Sequence, residues 1–168
     1  MKKALIRSFL AVFLVTLGIS ANAQTRLNSL NGGTVDLRGQ RGKVVVLAIG
    51  ASWLPLSSKQ AEFTNALVKK YAGKAVVFYF IATDSANPKS KNYASDEKLR
   101  QWAAANTLSI EVLRDPDGEA VTRAFTIDQL PAFVILDKEG KQSGDTFGGI
   151  DPKFDITVPI SKKIDSLL

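Results

Sequence analysis

Two apolar runs constrain this chain more than any other feature: residues 43–50 (KVVVLAIG) and 75–82 (AVVFYFIA). Each is short, rich in β-branched or aromatic residues and free of hydrophobic-polar alternation, the pattern of a central strand buried on both faces. The interval between them supplies a helix. Leu56, Gln60, Phe63, Leu67 and Tyr71 recur at helical spacing on one mainly apolar face, while Lys59, Glu62, Lys69 and Lys70 occupy the other faces. A strand, a helix and a second strand in this order make a βαβ crossover, which places the chain in the α/β class.

The rest of the sequence extends the unit. Residues 84–95 (DSANPKSKNYAS) are a polar loop by composition. A second helix begins at Ser95, with Leu99, Trp102 and Ala103 on its apolar face, and a short strand follows at 110–113. Asp115-Pro116-Asp117-Gly118 is a turn leading into a helical stretch around Val121 and Phe125. Residues 132–136 (AFVIL) form the next strand, and Asp137-Lys138-Glu139-Gly140-Lys141 is a hairpin connection with Gly140 placed for a positive φ. The partner strand is expected at 142–147. After Gly148-Gly149, Ile160, Ile164 and Leu167 are spaced for a final helix with Pro159 in its first turn. The expected order β-α-β-α-β-α-β-β-α describes a mixed sheet with parallel crossovers and a C-terminal antiparallel hairpin.

The first residues stand apart from this pattern. Lys2, Lys3 and Arg7 precede an apolar run over 9–17, and Ala21-Asn22-Ala23 is a small-x-small cleavage site, so residues 1–23 read as a secretory signal peptide. The apolar run falls short of the roughly 20 residues that span a bilayer. One domain over 24–168 is expected, periplasmic or secreted, with no membrane span after cleavage. The formal charge is +6, and the signal segment supplies three of those cations. The remaining cations are scattered without interleaved aromatics, so no nucleic-acid footprint is expected.

The sequence contains no Cys and no His. Without Cys there is no disulfide, thiolate nucleophile or thiol redox couple. Without His there is no imidazole base, no Ser-His-Asp triad and none of the commonest transition-metal ligand. No cofactor and no metal are expected.

Five local features together resemble the thioredoxin fold, and more narrowly the exported TlpA-like redoxins related to the AhpC/TSA family. They are Gly32-Gly33-Thr34-Val35-Asp36-Leu37 followed by Gly42-Lys43-Val44-Val45-Val46-Leu47, Ala51-Ser52-Trp53 at a strand end, Asp115-Pro116-Asp117-Gly118, Leu130-Pro131 before a strand, and Asp137-Lys138-Glu139-Gly140-Lys141. The resemblance implies a thioredoxin-like three-layer α/β/α sandwich. In that family Ala-Ser-Trp precedes Cys-Pro-Pro-Cys at a helix N-terminus, which lowers the pKa of the first thiol. Here the four places hold Leu54-Pro55-Leu56-Ser57, so both redox positions, Leu54 and Ser57, are degenerate and no catalytic residue is assigned. A peroxiredoxin activity fails for the same reason, since it begins with a Cys thiolate.

The resemblance further implies that Trp53 walls a substrate groove and that Pro131 is a cis-proline exposing the preceding backbone to an extended peptide. Trp53, Leu54, Pro55, Leu56, Ser57, Leu130 and Pro131 are then the binding-groove candidates, able to accept a peptide by strand addition. The alternatives are that Trp53 is an ordinary buried aromatic and that Leu54 and Leu56 fill the space the thiols left. Ser57 and Ser58 are expected to cap amides of the first helical turn, because a serine nucleophile needs a base and only Lys59 is near.

Other signals are weak. Ser95-Asp96-Glu97-Lys98 reads as an N-cap with acids in the first turn, and Asp115, Asp117 and Glu119 as a turn entering a helix. Three readings of function remain open: binding of an envelope protein or peptide through the degenerate groove, the family's oxidoreductase role with a partner supplying thiols, and a structural subunit of an envelope assembly.

Overall fold

The computed structural model describes residues 25–168. The expected signal peptide therefore lies outside the described residues. The elements run β1 Arg26–Ser29, β2 Thr34–Asp36, β3 Val44–Gly50, α1 Ser57–Lys70, β4 Val76–Ala82, α2 Asp96–Ala105, β5 Glu111–Arg114, α3 Glu119–Ala124, β6 Ala132–Leu136 and α4 Thr157–Asp165. The sheet order is β2-β1-β5-β4-β3-β6. Strands β3, β4 and β5 are mutually parallel neighbours, whereas β6 pairs antiparallel with β3 and the β1–β2 hairpin adds antiparallel to β5.

The continuous apolar run of β3 is explained by a core on each face. Val44, Val46 and Ala48 pack with Phe78, Phe80, Phe133 and Ile135 beneath Phe63 and Leu67 of α1, Leu99 of α2, and Ile160 and Ile164 of α4. Val45, Leu47 and Ile49 turn the other way, joining Tyr79, Ile81, Val134 and Leu136 under Val121 and Phe125, at α3 and its C-terminal end, with Leu27 and Leu37 from the N-terminal segment. Helices thus cover both faces, in the three layers expected for this fold class. Tyr71 follows α1, and its single hydroxyl proton is shared between Asp165 at 2.8 Å and the Ser161 carbonyl at 3.1 Å, tying α1 to α4.

Turn chemistry follows the sequence closely. Ser95 caps α2 by accepting from the Lys98 amide at 3.2 Å. Gly140 has φ +78°, and a side chain there would meet the Arg38 carbonyl oxygen at 2.6 Å, so the hairpin connection requires glycine twice over. The buried Asp115 carboxylate accepts from the Ala120 and Val121 amides at 3.1 and 2.8 Å, anchoring the start of α3.

Two expectations are corrected. The segment 142–147 forms no regular strand: it touches β6 through bridges at Phe133–Phe147 and Leu136–Gln142, and Gly144, with φ +81°, interrupts the extended run between them. The β1–β2 hairpin is an addition at the other end of the sheet. Its strands have four and three residues, and Leu27 is the one fully buried side chain between them, too little for a period to register.

Candidate functional site

The antiparallel pairing of β3 with β6 places Ile49 opposite Ala132. The C-terminal end of β3 and the start of β6 therefore share one end of the sheet, which brings the Ala51–Ser57 turn and the Leu130–Pro131 peptide to the same side. That peptide bond is cis. Leaving β3, the chain makes two tight turns, with the Leu54 amide on the Ala51 carbonyl and the Ser57 amide on the Leu54 carbonyl, both at 3.1 Å, before α1 begins.

Three polar side chains fix this geometry. Asp84, fully buried just beyond β4, accepts the Ser52 amide on both oxygens at 3.1 and 3.0 Å and the Ser52 hydroxyl at 2.5 Å. Thr83 adds amide and hydroxyl bonds to the Gly50 carbonyl, at 2.8 and 3.1 Å. Gln60, fully buried on the inner face of α1, donates its amide to the Ile49 carbonyl at 3.2 Å and the Ala132 carbonyl at 2.7 Å. One side chain thus rivets α1, β3 and β6 together at the base of the site. Nothing in the residue pattern identified these three as a group, although two of them leave a trace: a polar residue on an apolar helix face for Gln60, and an acid two residues beyond an apolar strand for Asp84.

The candidate groove residues divide into a surface and a floor. Trp53 is 50% exposed, which overturns its reading as an ordinary buried aromatic; the second tryptophan, Trp102, packs against Phe80 in a tilted arrangement with ring centroids 5.0 Å apart. Pro55 is also exposed, Leu54, Leu56 and Leu130 are half-buried, and Ser57 and Pro131 are buried. Leu56 rests on the core under α1, and Leu130 on the opposite core. The Leu130 amide and carbonyl have no hydrogen-bond partner among the described residues.

Ser57 does not cap. The N-cap position falls on Leu56, without a side-chain bond, because Ser57 is the first helical residue and its hydroxyl turns inward toward Gly50, where it is buried without a partner among the described residues. It is therefore no part of an open surface. Nor is it an activated nucleophile: the Lys59 amine donates to Glu62 at 2.8 Å and lies 4.8 Å from the Phe63 ring centroid. Of the acids in the 115–119 turn, Asp115 accepts the Ala120 and Val121 amides, Asp117 accepts from the Ser85 hydroxyl at 3.4 Å and Glu119 pairs with Arg123, so each is engaged within the turn and helix start.

Comparison with known proteins gives one answer at every level. Curated relatives include the thiol-disulfide oxidoreductase ResA of Bacillus thuringiensis, 26% identical over 68% of this chain, and that of Bacillus anthracis, 24% identical over the same share. The chain spans 61% of the length of each. A secreted disulfide oxidoreductase of Mycobacterium tuberculosis shares the fold with TM-score 0.66 at 21% identity, over 88% of this chain and 99% of its own. A thioredoxin-like protein of Aeropyrum pernix does so with TM-score 0.63 at 20% identity, over 82% and 88%. The thioredoxin-like architecture is thereby shown, and with the AhpC/TSA family model matching residues 20–141, this cysteine-less chain belongs to the AhpC/TSA family.

Proposed function

We propose that this protein is an exported redoxin-fold binding protein, devoid of thiol chemistry, which holds a protein or peptide partner against the surface formed by Trp53, Leu54, Pro55, Leu56 and Leu130. The observation that carries this reading is the half-exposed Trp53 at the same sheet end as a Leu130 backbone whose amide and carbonyl are unpaired among the described residues. An extended peptide satisfies such a backbone by strand addition, while neighbouring apolar side chains select its residues. A large aromatic left in water costs burial energy that a partner recovers. Redox turnover by the chain alone is chemically closed, because every step of thiol-disulfide exchange needs a thiolate and the sequence has no Cys.

Export is part of the proposal and rests on the charged-apolar-small pattern of residues 1–23. Among the described residues no helix is long and apolar enough to cross a membrane. Site-specific photo-crosslinking in the native envelope tests the reading, with the probe at Leu54 and a control probe at the exposed Lys69. A discrete adduct at Leu54 alone is expected, and mass spectrometry then names the partner. Equal labelling at both positions, or none at Leu54, overturns it.

A further inference from the structure

The connection between β4 and α2 is a built element. Its neck is closed by the Ser85 amide on the Asn92 carbonyl at 2.9 Å and the Ala94 amide on the Ser85 carbonyl at 3.2 Å. Arg114 clamps the same neck: nine-tenths buried, its guanidinium donates to the Ser85 and Ala94 carbonyls at 3.2 and 2.7 Å and lies 3.4 Å from Asp96. The tip is ordered from within, with the Ser90 amide on the Asn87 carbonyl at 2.9 Å and the Lys89 amide on the Asn87 side chain at 3.0 Å. A polar surface connection with closed ends and its own hydrogen bonds is an Ω-loop, a form that often carries function.

This loop is rooted at the site. Asp84, the residue before it, is the one that holds Ser52, and Ser52 precedes Trp53. Residues 85–94 contain Lys89 and Lys91 and no acid, and both lysines are exposed with no carboxylate within 4.0 Å among the described residues. The acids at the root are engaged there, Asp84 buried under its bonds to Ser52, Asp117 accepting from the Ser85 hydroxyl at 3.4 Å, Asp96 facing Arg114 at 3.4 Å and Glu97 paired with Arg100, so the loop's own contribution at its solvent-facing tip is the two lysines. The parallel pairing of Gly50 with Ala82 sends this loop out from the same sheet end as the Ala51–Ser57 turn, and a cationic loop tip rooted beside an apolar surface favours ligands in which acids flank an apolar stretch.

We infer that residues 85–94 are a specificity element of the proposed groove, with Lys89 and Lys91 recognising an acidic segment adjoining the apolar part of the bound peptide. The inference rests on the groove reading, so its test must separate the two. A phage-displayed library of random peptides is panned on the purified protein, with counter-selection on Leu54→Asp to keep groove-dependent clones. The parent is compared with Lys89→Glu combined with Lys91→Glu, a tip variant expected to leave the thermal midpoint unchanged.

The expected result is that Leu54-dependent peptides carry Asp or Glu beside an apolar stretch. For those peptides charge reversal should weaken binding roughly fivefold to tenfold, the scale of two exposed charge pairs, with the difference shrinking in high salt. Leu54-dependent peptides without acidic preference, or unaffected by charge reversal, overturn this inference and leave the groove intact. Acidic peptides that bind Leu54→Asp equally well overturn it too. A library yielding no Leu54-dependent peptide overturns both readings together.

Discussion

At the residue scale, Gly50 shows how little room the site's base allows. A methyl group on it would stand 2.5 Å from the Gln60 side-chain oxygen and 3.1 Å from the Ser57 hydroxyl. Gln60 cannot swing aside without releasing the Ile49 and Ala132 carbonyls that its amide holds. Gly50→Ala should therefore cost about 1–3 kcal/mol of stability by overpacking, read as a lowered urea midpoint; an unchanged midpoint would mean that Gln60 is free to move. Asp115 makes a pH prediction. Burial, outweighing its two amide bonds, holds its carboxyl above the ordinary value. A carboxyl that binds its proton more tightly folded than unfolded adds stability below its unfolded pKa, and that contribution is lost as pH rises through the folded value. Asp115→Asn should be less stable at low pH, having one acceptor oxygen for two amides, yet should lack this share of the decline between the ordinary carboxylate range and neutrality. Urea midpoints measured across that interval check it, and parallel curves for both proteins would refute it.

At the element scale, the legible parts were those with many side chains repeating one period. The faces of β3, β4 and β6, the inner face of α1 and the cap of α2 all followed from the residues alone, because several buried positions per element point to the same solution. The β1–β2 hairpin escaped because one buried leucine makes no pattern, and residues 142–147 misled because Gly144 breaks a run whose composition suits a strand. The α1 start was placed correctly but its capping was not, since the inward rotation of Ser57 depends on Gly50 across the layer. That start can be tested directly. Leu54 and Ser57 are joined across a turn by an amide-carbonyl bond of 3.1 Å, so Leu54→Cys combined with Ser57→Cys should close to a disulfide on mild oxidation. Thiol titration of the folded variant reads the outcome, and two persistent free thiols would place the turn elsewhere.

At the scale of the whole molecule, a thioredoxin-like scaffold surrounds positions that cannot do thiol redox chemistry. The purified protein should leave insulin disulfides intact beyond the background rate of added reductant, and turnover comparable to a cysteine-bearing relative would contradict the chemistry argued from its sequence. The frame beneath the proposed surface was not legible in the sequence, because Thr83 and Asp84 beyond β4 reach back to Gly50 and Ser52, and Gln60 of α1 spans to Ala132 of β6, contacts that exist only after folding. Leu56 stands on the core layer beneath α1, α2 and α4, while Leu130 stands on the layer beneath α3, so the proposed surface draws one leucine from each hydrophobic half of the molecule. A ligand laid across both would act as a clasp on the seam between them, and by mass action would add about 2.7 kcal/mol of resistance to unfolding at a hundredfold excess over its Kd. Occupancy of this protein would then be readable as heat tolerance, with no enzymatic assay at all.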